Sequence, residues 1–192
     1  MPKINLANKI TLIRLSILPF IILLLYIGDT LGKLVSIILF LLIIIGDKID
    51  GIVARKLNKA TKFGSFLDSI ADKLITSLMF IVLFDFRLVP LWAVLLFITR
   101  DLTTESVRSI NFTSGVLPKR SKFSIYKTGL QNITILFGLI VIYVLDSDIN
   151  SKLVNQNYNL IMSILIYVTL FFAYYSFIEV LYKNRKTLLK NA

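Results

Sequence analysis

The 192-residue chain contains no cysteine and no histidine. Without cysteine there are no disulfides and no thiolate metal sites. Without histidine, imidazole acid–base chemistry and histidine–zinc sites are excluded too. Any metal must then be held by oxygen, which points to Mg2+, Mn2+ or Ca2+. Charge is also scarce. Asp, Glu, Lys and Arg make up 17% of the chain, against about 25% in ordinary globular proteins. No internal repeat or low-complexity segment occurs. No small-residue cleavage site follows the first apolar run, so no cleavable secretory signal is expected.

Apolar residues are plentiful. They reach 56% of the chain, with a mean hydropathy of +0.80. A membrane-spanning helix needs about 20 residues, so the chain has room for about six with short connections. No separate water-soluble domain fits in what remains. The apolar runs predict spans at 12–26, 34–55, 64–84, 88–110, 123–145 and 158–182. Ahead of them, residues 3–11 alternate polar and apolar side chains at helical spacing, which predicts a helix lying in the membrane interface. The expected fold is an all-α integral membrane protein. It forms a single domain over 1–192, with six transmembrane helices preceded by an N-terminal interfacial helix.

With six spans, both termini share one side, which also owns the connections 56–63 and 111–122. The opposite side keeps only Lys33, Arg87 and Lys152 of the 22 basic residues. The positive-inside rule makes the basic side cytoplasmic, giving a multi-pass protein of the cell membrane. The net charge of +11 reflects this rule and affinity for anionic lipid headgroups. Lys56, Lys59, Lys62 and the tail Lys183-Asn184-Arg185-Lys186 read as headgroup anchors, and Glu179 as interfacial. A nucleic-acid partner is not expected, because no soluble basic surface with base-reading or stacking elements is present.

Against this background four aspartates stand out. Asp47 and Asp50 follow the apolar run 37–45, and Asp68 and Asp72 lead into the run 74–84. A carboxylate at membrane depth is costly and marks a functional site by default. Spacings of three and four residues place each pair on one face of its helix. Two such helices side by side would present four carboxylates to one point, enough to bridge two divalent cations. The full pattern is Asp47-x2-Asp50-Gly51-x2-Ala54-Arg55-x8-Gly64-x3-Asp68-x3-Asp72. Gly51 and Gly64 remove side chains where a bulky ligand must approach helix backbone. Arg55 offers a planar fork of donors to a phosphate. Two carboxylate-held metals suit in-line phosphoryl transfer. A cation path through a transporter is the reading of a different class.

The pattern matches, at every fixed position, the motif of the CDP-alcohol phosphotransferases, integral membrane enzymes that join a CDP-activated donor to an alcohol and release CMP. The chain most resembles their bacterial phosphatidylglycerophosphate synthase branch. Asn8-Lys9-Ile10-Thr11-Leu12-Ile13-Arg14 resembles that branch's Pro-Asn-x-Leu-Thr-x-x-Arg opening, with Ala7 where proline is usual. Residues 63–73 (Phe-Gly-Ser-Phe-Leu-Asp-Ser-Ile-Ala-Asp-Lys) resemble it closely. The resemblance implies a six-helix homodimer with a polar cavity on the cytoplasmic face. CDP-diacylglycerol would be the donor. Asp47, Asp50, Asp68 and Asp72 would ligate two Mg2+ or Mn2+ ions, and Asp72 would also be the base for the acceptor hydroxyl. Asn8, Thr11, Asp50, Gly51, Ala54, Arg55 and Gly64 would line the CDP pocket.

For the acceptor, Arg100, Thr104 and Arg108 recur every four residues on one helical face. Lys119, Arg120, Lys122 and Lys127 follow. A phosphorylated acceptor such as glycerol 3-phosphate fits this cationic cluster, since an uncharged alcohol has no need of it. The product would be phosphatidylglycerol phosphate; inositol phosphate is the alternative acceptor. Ser124-Ile125-Tyr126-Lys127-Thr128 stands where the branch has Gly-Lys-x-Lys-Thr, and Thr99-Arg100-Asp101 replaces its Ala-Arg-Glu. Arg100 and Arg108 have a second reading, as neutralising partners of Asp101 and Glu105. Tyr126 is the one aromatic expected at the site.

The absence of native cysteine makes the topology directly testable. Lys59→Cys and Lys186→Cys should react with a membrane-impermeant maleimide only from the cytoplasmic side. Thr30→Cys and Ile149→Cys should react only from outside. Labelling of Lys59→Cys from outside reverses the orientation.

Overall fold

The protein is described by a computed structural model over residues 6–56, 62–113, 123–147 and 152–190. Side chains are described at 8–47, 64, 67–109, 123–147 and 157–185. Six helices follow in order: α1 (Leu6–Ile27), α2 (Thr30–Lys56), α3 (Lys62–Asp85), α4 (Leu91–Thr113), α5 (Ser124–Asp146) and α6 (Lys152–Lys190). Long Leu- and Ile-rich runs form helices because lipid offers backbone groups no hydrogen-bond partner, so each N–H must find its carbonyl within the segment. Short turns join α1 to α2 and α3 to α4. In the first, the Asp29 carboxylate accepts the backbone N–H of Gly32 at 2.9 Å, capping the first turn of α2. The second passes through Arg87 at φ 59° and reaches α4 by Pro90, whose fixed φ suits a helix start.

Within the bundle, α1 packs on α2 and α3, and α2 on α5. Helix α3 also touches α4 and α5, while α6 closes over α4 and α5. The buried residues recur at three- and four-residue steps: Leu18, Ile21 and Leu25 on α1, Ile75, Met79 and Leu83 on α3, Ile135, Leu139 and Ile142 on α5. Phe80 stacks on Phe97, with ring centroids 4.5 Å apart. Gly138 lets α5 pass close to its neighbours. A Cβ there would lie 2.5 Å from Cδ2 of Leu83 and 3.1 Å from Cε of Met162.

The outer faces are equally apolar. Phe20, Leu23, Ile38, Ile133, Phe171 and Ile178 are all exposed, over an area that a water-soluble monomer would not tolerate. Four helical segments are long and apolar enough to cross a membrane: Asn8–Ile27, Thr30–Asp47, Ser124–Asp146 and Asn157–Arg185. Helices α3 and α4 have 24 and 23 residues, matching the other two expected spans in place and length. Their apolar character is diluted by Asp68, Asp72 and Lys73 on α3 and by Arg100, Asp101, Glu105 and Arg108 on α4. The segment expected to lie in the interface is helical from Leu6 onward and continues into α1 without a break. Helix α6, at 39 residues, runs beyond both ends of the expected 158–182.

Polar contacts tie the helices at one end. Lys33 pairs with Asp146, which also accepts from Oγ1 of Thr30 at 3.0 Å. The Tyr26 hydroxyl donates to Asp85 at 2.6 Å. The antiparallel course of successive helices then puts the start of α3 and the end of α2 at the opposite end.

Candidate functional site

Helices α1, α2 and α3 meet at that opposite end. Asp47 stands on α2, immediately after the apolar run, and Asp68 and Asp72 face it from successive turns of α3. One carboxylate oxygen from each lies within 4.8 Å of the others. Opposite oxygens around an octahedral Mg2+ stand about 4.2 Å apart, so the spacing of the three carboxylates is of the order that one shared ion would need. The donors are hard oxygens throughout, as a divalent Mg2+ or Mn2+ requires. Asp50, Gly51, Ala54 and Arg55 continue along the last turns of α2. Their side chains lie outside the described residues.

Arg14 of α1 reaches into the same cluster. Its Nη1 is 3.1 Å from Oδ1 of Asp47 and 3.4 Å from Oδ1 of Asp68, and its Nη2 is 2.6 Å from Oδ1 of Asp72. Arg14 is 4% exposed. Sequence reading placed it inside an opening motif without a role, because nothing local connects it to residues 58 positions away. Thr11 is buried one turn before Arg14, and Asn8 is half-buried a turn earlier. Gly64 lies half-buried one turn before Asp68 on α3.

Beside the cluster is a polar cavity of about 100 Å³ between α3, α4 and α5. Its lining includes Asp72, Lys73, Arg100, Asp101, Thr104, Arg108 and Lys127. Asp72 therefore belongs to both places: one oxygen meets Arg14, and the residue forms part of the cavity wall. All four expected acceptor residues line this cavity, but their partners separate them into two groups.

Arg100 is committed to the scaffold. Its Nε donates to the Ala173 carbonyl at 2.9 Å, Nη2 to Oγ of Ser176 at 3.1 Å, and Nη1 to Asp101 at 2.7 Å. Thr104 likewise returns its hydroxyl to the Arg100 carbonyl at 2.9 Å. For Arg100 the neutralising reading holds. Lys127 is held by both oxygens of Asp101, at 2.7 and 2.8 Å. Arg108 is looser. Its side chain is 25% exposed and stands 3.7 Å from Glu105, with Nη1 3.4 Å from Oγ of Ser69.

Lys73, which sequence reading left out, also lines the cavity. Its Nζ sits 2.6 Å from Glu105 and donates to Oγ of Ser69 at 2.8 Å. Its place directly after Asp72 was the available signal. Lys119, Arg120 and Lys122 lie outside the described residues. Tyr126 is turned outward at 63% exposure, beside Phe123, rather than into the cavity. The reversal follows from helix geometry: Lys127 takes the inward face, and the adjacent position points away.

A larger apolar groove of about 450 Å³ runs between α1 and α3, lined by Leu15, Leu18, Ile22, Leu74 and Leu78 among others. Tyr26 is the one residue of its lining with a polar side chain.

The family model of CDP-alcohol phosphatidyltransferases matches residues 4–175. Over 143 residues the chain is 35% identical to the CDP-diacylglycerol–glycerol-3-phosphate 3-phosphatidyltransferase of Bacillus subtilis, covering 68% of this chain and 74% of that one. A protein of the same name from Rickettsia typhi is 36% identical over 127 residues, 66% of this chain and 71% of its own. A probable phosphatidylglycerophosphate synthase of Mycobacterium tuberculosis is 36% identical over 117 residues, 59% of this chain and 56% of that one.

The two arginines of α4 should respond differently to truncation. Arg100→Ala leaves Asp101 buried with one cation fewer, and breaking such a pair costs about 3–5 kcal/mol. Arg108→Ala removes longer, part-exposed contacts, each worth about 1 kcal/mol or less. Thermal unfolding in detergent should show a large loss for the first and a small one for the second. Equal losses would refute the division between a fully buried arginine and a part-exposed one.

Proposed function

The chain belongs to the CDP-alcohol phosphatidyltransferase family, and from that premise we propose that it transfers a phosphatidyl group from CDP-diacylglycerol to glycerol 3-phosphate. CMP and phosphatidylglycerol phosphate are the products, in phospholipid biosynthesis. The observation that carries this reading is the double placement of Asp72, at the carboxylate cluster and in the wall of the cationic cavity. An acceptor held in the cavity by its phosphate would bring its hydroxyl to the same carboxylate that borders the donor's diphosphate. The relatives named for this reaction support the choice of both substrates.

Each group then has a task. Two Mg2+ or Mn2+ ions, held by Asp47, Asp50, Asp68 and Asp72, would supply positive charge to offset the diphosphate and the departing CMP. Asn8, Thr11, Asp50, Gly51, Ala54, Arg55 and Gly64 contact the CDP moiety. Arg108, Lys127 and Lys73 face the acceptor phosphate, with Arg100 and Thr104 fixing the wall behind them. Asp72 takes the proton of the acceptor's primary hydroxyl, from within about 2.6–3.2 Å or through one water. The hydroxyl oxygen bonds to the phosphorus next to diacylglycerol, and the bond from that phosphorus to the CMP oxygen breaks. The electron pair leaves with CMP. The cavity opens to the cytoplasm, where both water-soluble substrate and product are handled, and the protein works as a homodimer in the cell membrane.

Purified protein with CDP-diacylglycerol, Mg2+ and a panel of alcohols should release CMP with glycerol 3-phosphate and not with glycerol. Excess chelator, or Asp47→Asn, Asp50→Asn or Asp68→Asn, should abolish release while the protein stays folded. A transporter would release no CMP at all. A charge-assisted hydrogen bond is worth about 1.5–3 kcal/mol, so Arg108→Ala should raise the KM for glycerol 3-phosphate about ten- to a hundredfold. The KM for CDP-diacylglycerol should hold. Arg108→Lys restores a point charge but not a bidentate grip, and its KM separates the two modes. If Arg108→Ala and Lys127→Ala both leave the acceptor KM unchanged, the cavity is not the phosphate site.

A further inference from the structure

We propose that Arg14 is a resident counter-cation of the carboxylate cluster: it holds Asp47, Asp68 and Asp72 together when divalent ions are absent and competes with those ions for the same oxygens. The inference rests on the reading of these aspartates as metal ligands. Arg14 stands on α1, Asp47 on α2, and Asp68 and Asp72 on α3. One buried side chain thus ties three helices at a single point, through oxygens 3.1, 3.4 and 2.6 Å from its terminal nitrogens.

A second feature shows that the fold makes room for it. Gly46 directly precedes Asp47, and a Cβ there would lie 3.3 Å from Cδ and 3.4 Å from Cγ of Arg14. The arginine stem lies across α2 where that helix lacks a side chain. A planar fork of donors suits several carboxylates at once, whereas an ammonium acts as a point charge. The guanidinium also keeps its charge at any working pH. It cannot yield to an incoming ion by losing a proton. It has to share the oxygens or move aside, so arginine and ion oppose each other.

The direction of that coupling distinguishes this role from the other two an arginine here could play. A residue that orients metal ligands strengthens metal binding, and its loss weakens affinity by about 10–100-fold. A residue that only packs leaves affinity unchanged. A competing counter-cation does the reverse: its removal tightens metal binding and weakens the metal-free protein.

The experiment is a Mn2+ titration of the purified protein in detergent, with free Mn2+ followed by electron paramagnetic resonance and no substrate present. Thermal unfolding with Mn2+ and with chelator accompanies it. The unaltered protein should bind Mn2+, and Asp68→Asn should not. If the unaltered protein binds none, the metal reading itself fails. Given binding, Arg14→Gln should hold Mn2+ about tenfold more tightly, within the ordinary range of coupling between two binding events. Its melting temperature should fall in chelator and recover with Mn2+, widening the gap between the two conditions. Equal or weaker Mn2+ binding in Arg14→Gln overturns the proposal. Should Arg14→Gln not fold, Arg14→Lys keeps the charge and loses the fork. A widened gap in that variant supports the counter-cation, and an unchanged gap overturns it.

Discussion

Charged groups buried at one end of an apolar bundle must find partners there, and the structure is arranged around that constraint. Burying an ionised carboxylate alone is far too costly, and removing one member of a buried pair leaves the other exposed to that cost. Two clusters satisfy the requirement. In one, Arg14 meets Asp47, Asp68 and Asp72. In the other, Asp101 is held by Arg100 and Lys127. Each cluster draws members from different helices, so electrostatic pairing also sets how those helices sit against one another. The α1–α3 and α4–α5 contacts near the site are polar, while hydrophobic packing of residues such as Phe80 and Phe97 governs the centre of the bundle.

The two clusters differ in what they leave available. Asp101 is saturated: both of its oxygens are taken by Lys127, one also by Arg100, and both residues are nearly inaccessible. Such a unit is suited to holding a wall in place. The aspartates around Arg14 are about one-third exposed, and exposure of that kind gives a ligand access to them. Between them stand Lys73 and Glu105, paired at 2.6 Å, and Arg108 at 3.7 Å from Glu105, all of them partly exposed. Burial therefore decreases from the Asp101 cluster, between α4, α5 and α6, toward the part-exposed groups beside Asp72.

The division of labour among the helices follows from the same constraint. The four segments that are long and apolar enough to cross a membrane each bring at most a few polar site residues, such as Arg14 on α1, Asp47 on α2 and Lys127 on α5. Helices α3 and α4 carry most of the others, and their apolar character is reduced to that extent. Polar ties at the far end, Lys33 and Thr30 to Asp146 and Tyr26 to Asp85, bind α1 to α3 and α2 to α5 away from the site.

Much of this was legible in the chain itself. The lack of cysteine and histidine restricted any metal to oxygen ligands, and apolar runs of the right length marked α2 to α5 to within a turn of their ends, while α1 and α6 extend further than expected. The spacing of Asp68 and Asp72 placed that pair on one helical face, where both meet Asp47. These properties depend on composition and on the fixed rise and turn of a helix, so no knowledge of packing was needed. What packing alone decided was the role of each cation. Arg100 and Arg108 stand two turns apart on one face of α4 and look alike in sequence. Only the passage of α6 brings the Ala173 carbonyl and Ser176 to Arg100, turning it into a scaffold residue. Arg14 entered the site in the same way. Its partners are distant along the chain, and a contact between separate helices is set by how their faces pack, not by any local spacing.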